Sequence, residues 1–337
     1  MSKQTMMENI VNKVINDIDK HGKNWLKPWS SLGMPINILS RNQYRGINVI
    51  ALWIAKTECG FNSNHYGTFN QIRQKGGVVK KGQTGTQVIF MQPALYRDAR
   101  KGETPDTKDG SVQTQYNLMR SYFVFNMDQA EATNTKLVYN KKTKKYDVES
   151  CDLSEFENLK KSLEVKPDGA NDLDHVDQYI KNTKAEIKYN QTLISGCFYV
   201  PSQDYIGMVP KERFNNGKDG SSATQNFYAT ILHELTHWTG HKSRCDRDER
   251  YKAKYYEKFS SKEKYAFEEL VAELGACIQC CMLGITMEPT PHAIQYLKIW
   301  KDRIKDKPET IFKASALAQA GVSHIQNLQP ENMKKAS

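Results

Sequence analysis

The opening segment of the chain repeats an apolar residue at helical spacing. Met6, Ile10, Val14, Ile15 and Ile18 mark one face of an amphipathic helix over residues 6–20, which His21-Gly22 ends. Trp25 to Asn37 is rich in Trp, Pro, Gly and Ser and reads as irregular. The nearly unbroken apolar run Ile47–Thr57 predicts a buried helix stopped by Gly60, and Thr68–Lys75 a shorter one before Gly76-Gly77. Val78-Val79 and Gln87–Met91, on either side of the turn Lys80-Lys81-Gly82, then predict strands, as does Ser121–Asn126. Together they make a small basic α+β domain over residues 1–130.

Residues 131–175 change character. They are rich in Lys, Asp, Glu and Asn and poor in large apolar side chains, so they read as a charged linker or peripheral insertion, with a helix at Leu153–Leu163. Order returns at Val176, with a helix to about Lys188 and strand-like segments Cys197–Val200 and Tyr205–Val209. Long helices follow near 223–240, 262–283 and 289–304, giving a mostly helical domain with a short sheet over residues 176–330. The fold class is α+β.

A length of 337 residues suits two domains that each bury a core. The longest apolar runs, such as Val49–Ala55, are far too short for a membrane span, and the N-terminus lacks a signal-peptide pattern. Seven cysteines without framework spacing read as reduced thiols, so a cytoplasmic location is expected. The formal net charge of +10 is unevenly placed: residues 1–93 hold 12 Lys and Arg against 4 Asp and Glu. Between Lys20 and Arg97 the sole acid is Glu58. A segment kept this free of acids suits a polyanionic partner.

The chemistry concentrates in Ala229–Trp238, where His233-Glu234-Leu235-Thr236-His237 fits H-E-x-x-H within an apolar helical run. Residues i and i+4 share a helix face, so the two imidazoles can close on one ion, with Glu234 beside them as general base toward water. Zinc needs a third protein ligand. A histidine at position 243 would complete another known zinc pattern, but that residue is Ser243. His241 comes too early unless the helix breaks at Gly240. The stronger candidate is Phe267–Ala276, where Glu269 and Glu273 lie i, i+4 on a helix otherwise built of small and apolar residues. Glu269 is expected to bind the metal and Glu273 to hydrogen-bond the far nitrogen of a ligating histidine, as in zinc peptidases with a glutamate third ligand. Glu268 is the runner-up ligand, though it reads better as a solvated carboxylate, and Cys277, Cys280 and Cys281 read as small core residues. The expected ion is Zn²⁺, with another divalent transition metal as the alternative.

In the basic half, aromatics interleave with cations from Trp25 to Tyr96, a composition that stacks single-stranded bases while Lys and Arg follow the phosphates. The candidate DNA-binding residues are Lys27, Trp29, Arg41, Tyr44, Arg45, Asn48, Lys75, Lys80 and Lys81; Trp53 reads as core. Duplex DNA is the competing partner, but no duplex-reading motif is evident.

These segments resemble the antirestriction ArdC family. The N-terminal likeness runs through Pro28-Trp29, Pro35-Ile36-Asn37, Tyr44–Asn48, Thr68–Gln71, Gly77–Gly82 and Phe123–Asn126 with Gln129. The C-terminal likeness runs through Tyr199–Pro210, His233–His241 and Glu268–Ala276. The resemblance implies an N-terminal single-stranded-DNA-binding domain, shared with TraC-type primases, joined to a zincin-like metallopeptidase domain. It further implies a protein of mobile DNA that protects incoming strands from restriction. Tyr66 stands where that family favours Trp, and 131–175 is enlarged. Two other classes are carried beside it. One is a DNA-binding protein with a structural metal site, for which the general base Glu234 would be superfluous. The other is a primase or nuclease accessory factor, which would need acidic Mg²⁺ ligands that the basic half scarcely has. A protein substrate is a further expected partner, and no membrane is.

Overall fold

The structure is a computed structural model that describes residues 3–22, 25, 33–98, 111–163, 173–190, 197–216, 222–247, 259–285 and 291–331. In chain order the first elements are α1 (Lys3–His21), β1 (Ile36–Asn37), α2 (Ile47–Cys59), β2 (His65–Gly67) and α3 (Phe69–Gln74). β3 (Gly77–Val79), β4 (Thr86–Asp98), β5 (Ser111–Asn126), β6 (Ala130–Ala132), β7 (Thr135–Asn140), β8 (Lys145–Ser150) and α4 (Leu153–Ser162) follow. The rest comprises α5 (Asp174–Asn182), β9 (Glu186–Tyr189), β10 (Phe198–Val200), β11 (Tyr205–Met208), α6 (Ala223–Trp238), α7 (Ser261–Leu283), α8 (Pro291–Asp306) and α9 (Glu309–Asn327). Contacts gather these into two compact units, Met1–Ile10 with Tyr66–Ser162, and Val11–His65 with Leu163–Ser337.

The first unit is built on a long antiparallel ribbon. β4 and β5 pair from Thr86↔Val124 to Asp98↔Ser111, with an irregularity at Ala94/Tyr96, and β2 adds to β5 through Tyr66↔Asn126. Residues 131–162 are folded. β7 and β8 form a hairpin, and α4 buries Phe156 completely against Gly77, where an added Cβ would meet the ring at 2.3 Å. One aromatic residue at the right point therefore seats the helix expected near Leu153–Leu163.

In the second unit, α2 runs to Gly60, whose φ of +67° ends it in the left-handed conformation. Trp53 is core as expected, 1% exposed, its indole N–H donating to the Gly33 carbonyl at 3.0 Å. β11 pairs parallel with β9 and antiparallel with β10, leaving β10 at the edge of this three-stranded sheet among the described residues. α6 packs on β10 and β11 and on α7. α8 is tied to α7 by the Trp300 indole N–H, which donates to the Ala266 carbonyl at 2.5 Å. α9, which the sequence reading lacks, packs along α7 and buries Ile311, Ala314, Ala318, Val322 and Ile325.

Candidate metal centre

α6 starts where Ser222 caps it. The Ser222 hydroxyl accepts from the Gln225 N–H at 3.1 Å, and the Gln225 side-chain oxygen accepts from the Ser222 N–H at 3.0 Å. Two arginines serve its last turn: Arg244 Nε donates to the Trp238 carbonyl at 2.6 Å, and Arg247 Nη2 to the Thr236 carbonyl at 2.7 Å. Gly240 makes room for the latter, since a Cβ there would come within 2.7 Å of Arg247 Nη2. α7 opens on a second capping box, Ser260 with Glu263, and closes on Gly284 at φ +71°.

The two helices approach closely because Gly275 faces Thr236, and an added Cβ would stand 2.4 Å from Thr236 Cγ2. Gln279 locks them further, its amide donating to the Leu232 carbonyl at 3.1 Å and Thr236 Oγ1 at 2.9 Å. This contact puts the inner face of α6, carrying His233 and His237, opposite Glu269 and Glu273 of α7.

His233, His237 and Glu269 each present one ligand atom, all within 4.8 Å of one another. Among the described residues no other group of His, Cys, Asp and Glu does so. The ring nitrogens His233 Nε2 and His237 Nε2 are 3.2 Å apart, and each lies 3.5 Å from a Glu269 oxygen. The remote nitrogens face carboxylates: His237 Nδ1 donates to Glu268 Oε1 at 3.2 Å, and His233 Nδ1 faces Glu273 Oε1 at 3.6 Å. With a proton on each Nδ1, both Nε2 lone pairs would point into one space. Two imidazoles and a carboxylate, buried and convergent, are the donor set a divalent transition ion takes, so the residues fit a metal.

The charges around the trio are strongly coupled. Burial works against charging His237, but Glu268 and Glu269 overcome it and raise its pKa to about 10. Burial likewise opposes His233, which Glu269 and Glu273 nevertheless raise. For Glu268 burial pushes upward, yet Arg247 and His237 outweigh it and hold the carboxyl down to about 2. Glu269 lies well below the usual carboxylate range because both histidines overcome its burial.

Glu268 is thus not the solvated carboxylate that its position in the sequence indicates. It links His237 to Arg247, which is 3% exposed and whose guanidinium also donates to Thr239 Oγ1 at 2.6 Å. Only the fold reveals Arg247, because it reaches the site from the turn after α6. His241 stands apart from the trio, its Nδ1 2.8 Å from Ser243 Oγ. The three clustered cysteines are buried in α7, their thiols raised by that burial. Glu234 is 6% exposed, and among the described residues no side chain is hydrogen-bonded to it. Cys197, just before β10, lies near enough that the Glu234 charge adds to the burial raising its thiol. A cleft of about 430 Å³ opens beside His237, lined also by Tyr199, Ser202, His241, Lys242 and Glu268.

Of the DNA-binding candidates, Lys27 and Trp29 lie outside the described residues. Arg41 is exposed at a turn, with φ +62°. Tyr44 is only 6% exposed, its hydroxyl accepting from Asn37 Nδ2 at 3.1 Å, so its ring is core and not a surface for bases. Asn48 is likewise buried in the first turn of α2. Arg45 Nη2 donates to Ser323 Oγ at 3.2 Å. Lys75 is half-buried behind α3, whereas Lys80 and Lys81 are exposed, and Lys80 Nζ donates to the Asp128 carbonyl at 3.0 Å. Arg41, Tyr44, Arg45 and Asn48 belong to the second compact unit and the three lysines to the first.

Comparison with known proteins covers both halves. Residues 174–317 match a family described as zincin-like metallopeptidase, and residues 4–125 the N-terminal domain of anti-restriction factor ArdC. The crystal structure of the antirestriction ArdC protein from plasmid R388 in metal-free form is 28% identical with a TM-score of 0.70. It is covered over 97% of its length by 96% of this chain. Its Mn(II)-bound form gives a TM-score of 0.65 at the same identity and coverage. Protein y4eC of Sinorhizobium fredii is 25% identical over 93% of this chain and 88% of its own length. DNA primase TraC of Escherichia coli is 28% identical over 94% of this chain, which spans only 26% of that primase.

Proposed function

The chain belongs to the antirestriction ArdC family, and from that premise we propose that it binds single-stranded DNA of a mobile element, protects it on entry, and hydrolyses a protein through its zincin-like domain. A divalent ion held by His233, His237 and Glu269, here proposed as Zn²⁺, would supply Lewis acidity toward a carbonyl and make water more acidic. Glu273 and Glu268 orient the two imidazoles. Glu234 takes the proton of the attacking water and returns it to the leaving amine. β10, an edge strand of its sheet among the described residues, runs close to Glu234; there an extended peptide would add as a further strand, and the adjoining cleft would receive its side chains. Single-stranded DNA is the proposed partner of the acid-poor N-terminal half, and the cytoplasm the proposed location.

The observation that carries the peptidase reading is Glu234: a buried carboxylate outside the ligand trio whose charge reaches both His233 and His237. A purely structural metal site has no use for it. The test is plasmid transfer into restricting and non-restricting recipients with wild type, Glu234→Gln and His237→Ala. Both variants should lose protection in the restricting recipient alone while the purified proteins still bind single strands. Full protection by Glu234→Gln would sink the peptidase reading and favour the structural site.

A further inference from the structure

The pairing of β4 with β5 brings together side chains that lie thirty residues apart. Phe90 stands opposite Arg120 and Val88 opposite Tyr122, and directly paired residues share a face of the ribbon. Phe90, Arg120 and Tyr122 therefore project from one face. Phe90 is 48% exposed and Tyr122 41%, Arg120 is exposed, and the two rings meet edge to face with centroids 5.5 Å apart. Phe123 points from the opposite face, opposite Gln87, and is itself 50% exposed.

Two large rings kept in water beside a cation need an occupant. Charge selects it: residues 66–97 hold five Lys and Arg and no acid, which suits phosphate and repels a basic peptide. A duplex hides its base faces within the stack, whereas unpaired bases expose them to aromatic rings. We infer that the Phe90–Tyr122 pair with Arg120 is a base-stacking platform for single-stranded DNA, the rings taking bases and the guanidinium a flanking phosphate.

This rests on the single-strand reading proposed above and locates it on the ribbon, away from the buried Tyr44. The platform is sequence-tolerant, since every base has a face to stack, and that is what a protein protecting strands of any sequence requires.

The test uses the full chain and fluorescein-labelled oligo(dT), read by anisotropy over a salt series. Phe90→Leu and Tyr122→Leu keep an apolar strand residue but remove the ring. Each should weaken binding about 5- to 150-fold, the equivalent of roughly 1–3 kcal/mol per lost stack, with the salt slope unchanged. Arg120→Ala should lower the slope of log affinity against log salt by about 0.7. Phe123→Leu, on the other face, should bind as wild type. Phe90→Trp should keep affinity and show fluorescence quenched by the oligonucleotide. Wild-type binding unaffected by Phe90→Leu and Tyr122→Leu, or unquenched Phe90→Trp, would overturn the platform and leave the single-strand reading standing. No wild-type binding at all would overturn both.

Discussion

Arg247 grips Glu268 through two nitrogens, with Nη2 2.5 Å from Oε1 and Nε 3.2 Å from each oxygen, and Glu268 passes that hold to Nδ1 of His237 at 3.2 Å. The same guanidinium caps the Thr236 carbonyl, so one side chain fixes both the end of α6 and the direction of its second imidazole. Arg247→Leu and Glu268→Gln should each weaken metal binding by roughly 10–100-fold. Arg247→Lys should recover only part, because a single ammonium cannot serve the helix carbonyl and the carboxylate together. Chelator competition for Zn²⁺ measures this, and Arg247→Leu with wild-type affinity would refute the relay.

Ligand identity gives a sharper contrast. His233→Ala, His237→Ala and Glu269→Ala each delete one of three convergent donors and should empty the site in metal analysis of the purified chain. Ser243→Ala and His241→Ala should leave it filled, because those two side chains contact each other outside the trio. A site emptied by His241→Ala and filled in Glu269→Ala would make histidine the third ligand.

Gly275 couples packing to the same site. A methyl group there would stand 2.4 Å from Thr236 Cγ2, so Gly275→Ala must push α7 away from α6. Overpacking of this kind costs about 1–3 kcal/mol. Because the histidines ride on one helix and Glu269 on the other, metal affinity should fall with stability. Thermal unfolding and metal titration of Gly275→Ala should therefore shift together. Lowered stability with an unchanged metal constant would show that the site tolerates the displacement.

The core of this site is legible in the sequence because helical spacing is local. His233 and His237, like Glu269 and Glu273, are spaced i, i+4, and each pair shares one face wherever the helix goes. Glu268 and Arg247 are legible only in three dimensions, since their pairing depends on the turn that follows α6 and on how α7 crosses it. The ribbon is longer than its apolar core indicates, because pairing continues through polar positions such as Gln92↔Leu118 and Asn117↔Pro93. The fold of 131–162 hangs on Phe156, a single apolar residue that composition dilutes. Tyr44 looks like a stacking residue next to Arg45, but its burial depends on the whole of its surroundings and leaves no periodic trace.

A pH dependence should appear at His65 in β2. Burial, reinforced by the charges of Arg41 and Lys56, lowers its pKa to about 4, and among the described residues its Nδ1 has no hydrogen-bond partner. The unfolded chain titrates near the ordinary value of about 6.5, so between the two values the unfolded state binds more protons. Stability contributed by neutral His65 is therefore complete above about 6.5 and is lost as pH falls toward about 4. The loss is of order 2–3 kcal/mol across the window. His65→Gln cannot titrate, so its stability should depend less on acid over that range than wild type does. Urea unfolding at a series of pH values from 7 to 4 measures the difference, which also cancels the titration of the other histidines. Parallel curves for the two proteins would mean that His65 accepts its proton in the folded chain without penalty.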